Sequence, residues 1–211
     1  MSAQNPAEGG NSFLSAVYAA KSPQELQGVY NDWAASYDTD LDSLGYTAPQ
    51  KAADVLASVL PPTPETRILD AGCGTGLVGS ALSRHGYRLI DGADLSPGML
   101  RQAQKTGAYE NLNEVDLSLP LEGTDYDAVI CVGTLTEGHV GPEALEHFAD
   151  AVKTGGYVVA TVLGTIWEPR YREFVDGLVQ RGKVRVVSQD ETEYRPGFPI
   201  KLRVVVLQRT K

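Results

Sequence analysis

Short apolar runs alternate with amphipathic stretches along most of the chain after residue 60. Runs rich in β-branched residues predict strands, and apolar residues spaced three or four apart predict helices. The predicted strands lie at 66–71, 88–94, 109–115, 126–132, 156–163, 183–189 and 200–208. The predicted helices lie at 76–85, 97–105, 142–152 and 168–181. This alternation predicts a doubly wound α/β fold with a mostly parallel, seven-stranded sheet.

The last two predicted strands are joined by residues 194–199, a segment that contains two prolines and a glycine. No helix is predicted between these strands. Because parallel neighbours need a long crossover, we expect the last two strands to pair antiparallel at one edge of the sheet.

Two or three helices precede the first predicted strand. Ser22-Pro23-Gln24-Glu25 is a capping box with proline at the first helical position, and Thr47 is placed to cap a helix from Ala48 to Leu60. Helices of this total length bury too little surface to form a separate domain. We therefore expect one domain over 1–211, with a helical lid at 12–60 and a core at 61–211.

A glycine-rich turn follows the first predicted strand. The strand ends in Asp70, and glycines follow at 72, 74 and 76. Bare backbone at these positions lets a ligand lie against the turn. The Asp70 carboxylate disfavours the pyrophosphate of a dinucleotide and suits a ligand that carries an ammonium or sulfonium group.

A second acidic residue, Asp94, ends the next predicted strand eighteen positions beyond Gly76. At this spacing a carboxylate can accept hydrogen bonds from both ribose hydroxyls of a bound nucleoside. Alternatively, Asp94 takes part in capping the helix that begins at Ser96-Pro97. The turn and the two acidic residues together predict a nucleoside site.

The strand that ends in Asp70 and the glycine turn after it resemble the glycine-rich motif of the class I S-adenosylmethionine-dependent methyltransferases. Trp33-Ala and Tyr37-Asp, followed by Gly45-Tyr and Ala48-Pro, are similar to the N-terminal region of the methyltransferase-like protein 27 branch of that family. The resemblance covers most of the chain. It implies a Rossmann-like fold with an antiparallel last strand, S-adenosyl-L-methionine as cofactor and S-adenosyl-L-homocysteine as product.

The expected cofactor site comprises the glycine turn, the ends of the second and third strands, the loop after the fourth strand and two lid tyrosines. Its residues are Tyr37, Tyr46, Asp70, Ala71, Gly72, Gly74, Asp94, Leu95, Ser96, Met99, Asp116, Leu117, Val132 and Gly133. In the family, an acidic residue at the position of Asp116 often binds the adenine amino group, and the next apolar side chain covers the ring. Asp116 alternatively forms a turn, and the lid aromatics alternatively pack against the domain below.

The loop at 131–139 is where the family shapes the space in front of the methyl group. Glu137 and His139 are its titratable candidates for a general base, although a lone loop histidine is more often a surface or capping residue. No metal site is expected, because methyl transfer from a sulfonium requires none and the two cysteines, Cys73 and Cys131, lack the spacing of metal ligands. We expect both cysteines to be reduced packing thiols.

Composition and net charge limit the binding partners that we expect for this chain. With a net charge of -9 and no cluster of Lys or Arg, the 211-residue chain is not expected to bind nucleic acid. It shows no signal peptide or long apolar run, so we expect a cytoplasmic protein without a membrane partner. We further expect a monomer that methylates a small molecule or an exposed protein side chain.

Two other classes of protein stay open: a non-catalytic cofactor-binding module that acts through a protein partner, and an NAD-dependent oxidoreductase. The oxidoreductase class fits less well, because the Asp70 carboxylate disfavours the pyrophosphate of NAD and because the second half of a dinucleotide domain is missing.

Overall fold

The computed structural model describes residues 12–121, 123, 125–136, 140–197 and 199–211. These residues form one seven-stranded sheet covered by helices. The strands are β1 (Arg67–Ala71), β2 (Leu89–Asp94), β3 (Asn111–Glu114), β4 (Tyr126–Leu135), β5 (Val152–Leu163), β6 (Val184–Glu193) and β7 (Lys201–Arg209). The helices are α1 (Ser12–Ala19), α2 (Pro23–Trp33), α3 (Tyr37–Ser43), α4 (Ala48–Val59), α5 (Leu77–His85), α6 (Pro97–Thr106), α7 (Ala144–Ala151), α8 (Gly164–Ile166) and α9 (Arg172–Gln180), with a π-helical turn at Trp167–Tyr171.

The strand order is β3-β2-β1-β4-β5-β7-β6. Strands β1 to β5 run parallel to one another, and β7 pairs antiparallel with both β5 and β6. The predicted mostly parallel sheet with an antiparallel last strand is therefore confirmed. The chain leaves β1 in one direction along the sheet and returns to place β4 on its other side, so the carboxyl ends of β1 and β4 form a crevice in which doubly wound folds bind ligands.

Two apolar layers cover the faces of the sheet. On one face, α7, the π-helical turn and α9 pack through Phe148, Trp167 and Val175. On the other face, α4 and α5 pack through buried residues such as Leu56 and Leu82. We expected residues 48–60 in the lid, but α4 lies in the layer on the sheet because its alanines allow close packing: Ala52 and Ala53 are fully buried.

Helices α1 to α3 form a small cluster of their own beside the sheet. Trp33 is 1% exposed, stacks on Phe13 at 5.6 Å and donates from Nε1 to Asp40 Oδ2 at 2.7 Å. Leu14 and Leu41 complete this small core. The first helix was not located by the sequence pattern, and its short apolar repeat is buried only because α2 and α3 cover it.

Several element boundaries differ from the predicted ones. Strand β5 begins at Val152 instead of 156, since Val152 pairs with Tyr126 before the backbone turns through Gly155 at a φ of 85°. The helix predicted at 168–181 divides into the π-helical turn and α9 because Glu168 has a non-helical backbone. Cys73 and Cys131 are free and buried, as expected. Among the described residues, no helix has the length and apolarity needed to cross a membrane.

Candidate active site

The glycine turn lies at the crevice between β1 and β4. The N–H groups of Gly72 and Cys73 both donate to the Ala93 carbonyl, at 2.7 and 3.0 Å, which joins the turn to β2. Gly72 has a φ of 78°, and a Cβ there would lie 2.2 Å from Thr134 Oγ1. Gly74 also has a positive φ, 53°, but a Cβ there would meet no atom within 4 Å. Position 72 therefore requires glycine for space as well as conformation, whereas the backbone at 74 faces open space.

Asp94 holds this turn to the end of β2. Its Oδ2 accepts from Gly74 N at 2.9 Å, and its Oδ1 accepts from Ser96 N at 2.8 Å. Burial raises the pKa of the Asp94 carboxyl, while these backbone donors oppose the rise. Two bonds leave about half of the acceptor capacity of a carboxylate for a ligand. Ser96, not Asp94, caps α6, because Ser96 Oγ accepts from Met99 N at 3.1 Å.

A cleft opens over the carboxyl ends of β1, β2 and β4, below α2 and α3. Most of the expected site residues line it: Tyr37, Gly72, Gly74, Asp94, Leu95, Ser96, Met99, Asp116, Leu117, Val132 and Gly133. The lining is mainly apolar, and its charged members among the described residues are the carboxylates Asp94 and Asp116. No group of potential metal ligands is found among the described residues.

The remaining expected residues lie elsewhere. Tyr46 lines a smaller adjoining pocket that shares Tyr37, Gly72, Gly74 and Val132 with the cleft. Asp70 and Ala71 are 0% exposed and do not line the cleft. Our proposed general bases, Glu137 and His139, fall outside the described residues, so their role stays a prediction.

Asp116 forms a turn and also lines the cleft, while its contact with adenine stays a prediction. Its Oδ1 accepts from Ser118 N at 2.9 Å and from Ser118 Oγ at 2.6 Å, the geometry of an aspartate that stabilises a turn. The residue also lines the cleft, next to Leu117. The turn therefore places Asp116 at the cleft wall.

Sequence reasoning missed one whole wall of the cleft, the inner face of α2. Pro23, Leu26, Gln27 and Tyr30 line the cleft from there, and their spacing of three, four and seven is a helical face that the sequence displays. The other lining residues that we missed are Val115, Ser118, Thr134 and Val140. These neighbour predicted positions, but only the folded loops turn them inward.

Helix α2 is joined to the start of α6 by hydrogen bonds. Asn31 Oδ1 accepts from Ser96 Oγ at 2.9 Å and from Gly98 N at 2.7 Å. Gln27 Nε2 donates to the Leu95 carbonyl at 2.6 Å. The absence of a side chain at Gly98 permits this approach, since a Cβ there would lie 2.8 Å from Asn31 Cα. The lid thus contacts the same segment, Leu95 to Met99, that lines the cleft.

The lid tyrosines keep their protons at neutral pH. Burial raises the pKa of the phenol groups of Tyr30 and Tyr37 well above the usual value, and neighbouring acidic groups add to the effect. Tyr46 behaves in the same way. These hydroxyls are therefore hydrogen-bonding groups, in the cleft or in the adjoining pocket, and not bases.

Comparison with known proteins agrees with this geometry. Residues 68–156 match a family model described as a methyltransferase domain. Human methyltransferase-like protein 27 is 38% identical over 156 residues, which is 72% of this chain and 63% of the human protein. The chain thus spans less than two thirds of the length of this relative.

Solved structures show the same fold at lower identity. Magnesium protoporphyrin IX methyltransferase from Synechocystis, crystallised with S-adenosylmethionine, has a TM-score of 0.62 at 20% identity, covering 87% of this chain and 97% of that one. The (4+2)-cyclase SpnF has a TM-score of 0.69 at 16% identity, covering 90% and 98%. Residues 68–156 thus match a methyltransferase domain, and the fold is that of the class I methyltransferase structures, as the sequence motifs predicted. Methyltransferase-like protein 27, to which the lid pattern pointed, is among its relatives.

Proposed function

We propose that this chain binds S-adenosylmethionine in the cleft and transfers its methyl group to a small molecule or an exposed protein side chain. The observation that carries the proposal is the Asp94 carboxylate, which is held by Gly74 N and lines the cleft with spare acceptor capacity. A ribose diol is the neutral ligand group that this acceptor fits. The family of the domain supports the same cofactor.

The cleft residues fit the parts of this cofactor. Asp94 would hold the ribose, while Asp116 and the buried side chain of Leu117 would hold and cover the adenine. Bare backbone at Gly72 and Gly74 would lie against the methionyl part. Tyr46, in the adjoining pocket, would supply a hydroxyl donor toward a carboxylate.

When bound, the cofactor supplies a methyl group on a cationic sulfonium. The chain then has three tasks: to hold the acceptor close, to align it and to exclude water. Tyr30, Val132 and Val140 line the cleft and would exclude water. Because the lid phenols stay protonated, an acceptor that must lose a proton needs a base from another place, for which we propose His139 or Glu137.

The acceptor is expected to be compact and not polyanionic. The described residues that line the cleft include no Lys or Arg, and the two charged residues among them, Asp94 and Asp116, are acidic. A phosphate chain would be repelled by these carboxylates. We therefore propose neither a nucleic-acid partner nor a membrane partner for this domain.

The fold does not by itself select the reaction, since the similar structure of SpnF is named a cyclase. A second candidate function is therefore a module that binds the cofactor without transferring its methyl group and acts through a protein partner.

Calorimetric titration with S-adenosylmethionine, S-adenosylhomocysteine and NAD tests the cofactor. We expect micromolar binding of the first two and none of NAD; NAD binding alone would support the oxidoreductase class. Incubation with methyl-labelled cofactor and a panel of metabolites and lysate proteins then tests transfer. Cofactor binding with no labelled product across the panel would favour the non-catalytic module.

A further inference from the structure

The buried Asp70 and the half-buried Tyr109 form a pair that lies behind the glycine turn and outside the cleft. Asp70 is the residue before Ala71 at the end of β1 and is 0% exposed. Tyr109 Oη donates to Asp70 Oδ2 at 2.6 Å and accepts from Gly79 N at 3.1 Å. Asp70 Oδ1 has no hydrogen-bond partner among the described residues.

Three glycines make room for the Tyr109 ring. A Cβ on Gly79 would lie 2.3 Å from Tyr109 Cζ, and one on Gly92 would lie 3.0 Å from Cδ1. At Gly76 the corresponding distance, to Cε2, is 3.2 Å. These glycines belong to α5, β2 and the cofactor turn, so the ring is wedged among the elements that build the cofactor site. The absence of side chains at these three positions thus leaves the space through which the Tyr109 phenol reaches Asp70.

The charges of Asp70 and Asp94 repel each other, and Asp94 lines the cleft. Burial raises the pKa of Asp70 to about 7, the Tyr109 hydrogen bond lowers it, and the charge of Asp94 raises it. The other titratable groups that face Asp70 are the thiols of Cys73 and Cys131, whose raised pKa keeps them neutral. Asp94 and Asp70 are therefore the groups that can bring charge to this part of the site near neutral pH.

We propose that Tyr109 is a positioning residue that favours the ionised form of Asp70, and that this buried charge makes the site prefer a cationic ligand over its neutral counterpart. The inference rests on the proposed cofactor. S-adenosylmethionine carries a sulfonium charge and S-adenosylhomocysteine does not, so the ratio of their dissociation constants reports this charge. A residue that only supports the fold changes both affinities by the same factor and leaves the ratio unaltered.

The experiment measures both dissociation constants by calorimetry from pH 6 to pH 9 in the wild-type chain, Asp70→Asn and Tyr109→Phe. In the wild-type chain we expect the preference for S-adenosylmethionine to increase about fivefold as the pH rises past 7, because a nearby negative charge attracts the sulfonium. In Asp70→Asn most of this increase should be lost, and the pH dependence that remains belongs to Asp94 and to the ligands. In Tyr109→Phe the increase should move to higher pH, because the donor that favours the carboxylate is lost.

Equal pH profiles of the ratio in all three proteins would overturn the proposal. If Tyr109→Phe does not fold, Asp70→Asn alone decides, since it keeps the shape of the side chain. Gly79→Ala, whose Cβ would displace the ring, should reproduce the profile of Tyr109→Phe. If neither ligand binds the wild-type chain, the proposed function has failed, which is distinguishable from an unchanged ratio.

Discussion

The carboxylate of Asp94 and the backbone N–H of Gly74, twenty positions apart in sequence, are joined by a hydrogen bond of 2.9 Å. This bond connects the turn after β1 to the end of β2. The same carboxylate also accepts from Ser96 N at the start of α6. The Asp94 side chain thus connects three segments of the cleft wall: the glycine turn, the end of β2 and the start of α6.

Replacing Asp94 with alanine should weaken binding of S-adenosylhomocysteine by roughly 2 to 4 kcal/mol, because two ribose hydrogen bonds and the anchor of the turn are lost together. Calorimetry measures the change. Asp91→Asn is the matched control: Asp91 lies on the same strand, bonds Asn111 and Tyr126, and does not line the cleft. An unchanged dissociation constant for Asp94→Ala would remove Asp94 from the site.

The contact between lid and core at Asn31 predicts a coupling of lid closure to cofactor binding. Asn31→Ala removes the acceptor of Ser96 Oγ and Gly98 N, so the affinity for S-adenosylhomocysteine should fall about tenfold. Asn31→Asp keeps an acceptor at the N-terminus of α6, where a negative charge is favourable, and should remain within about threefold of the wild type.

Hydrogen exchange over residues 13 to 50 reports the same coupling. Exchange there should slow when S-adenosylhomocysteine is added to the wild-type chain, because a ligand enclosed by the lid stabilises its closed form. Exchange in Asn31→Ala without ligand should be faster than in the wild type. Identical exchange with and without ligand would contradict the gating role of the lid.

Two glycines with left-handed backbones, Gly74 and Gly155, allow the effect of backbone strain to be measured apart from the effect of ligand contact. Gly74→Ala and Gly155→Ala each place a Cβ in open space at a positive φ, so each should lower stability by about 1 kcal/mol. Gly74 lines the cleft and Gly155 does not. We expect the two variants to show similar decreases in the free energy of unfolding, measured with urea, while cofactor affinity falls only in Gly74→Ala. A comparable loss of affinity in Gly155→Ala would show that strain, not contact, is responsible.

The raised pKa of Asp70 predicts an unusual dependence of stability on pH. An unfolded aspartate loses its proton near pH 3.8, whereas burial holds the folded pKa at about 7. Between these values the folded state binds more protons, so this group stabilises the fold at low pH and loses that contribution as the pH rises toward 7. Asp70→Asn should therefore gain in melting temperature relative to the wild type as the pH rises from 5 to 8. A constant difference across this range would show that Asp70 does not titrate there.

If His139 is the general base, His139→Ala should lower turnover on the acceptor about a hundredfold and leave cofactor affinity nearly unchanged. Glu137→Gln is the parallel test of the second candidate. The measurement is the initial rate of labelled-methyl transfer together with the dissociation constant of S-adenosylhomocysteine. Turnover close to that of the wild type in both variants would leave positioning and exclusion of water as the catalytic contributions.

Local sequence determined the elements that depend on local chemistry. The apolar runs of β1 and β2, the Ser22 and Ser96 caps and the glycine turn act within a few residues, so pattern and spacing predict them. The distance from the turn to Asp94 follows from the length of one helix and one strand, which is why the sequence could predict that the two lie together at one cleft. The antiparallel edge followed from a connection too short for a crossover.

Tertiary structure decided what depends on contacts between distant segments. Asp70 was expected at the ligand, but Tyr109, thirty-nine positions away, bonds it behind the turn. Helix α4 joined the layer on the sheet because its small residues meet α5 and the strands, and α2 became a cleft wall because Asn31 meets Gly98. Such contacts are set by how the elements pack, and no local pattern of the chain specifies which side chain will lie opposite a given glycine.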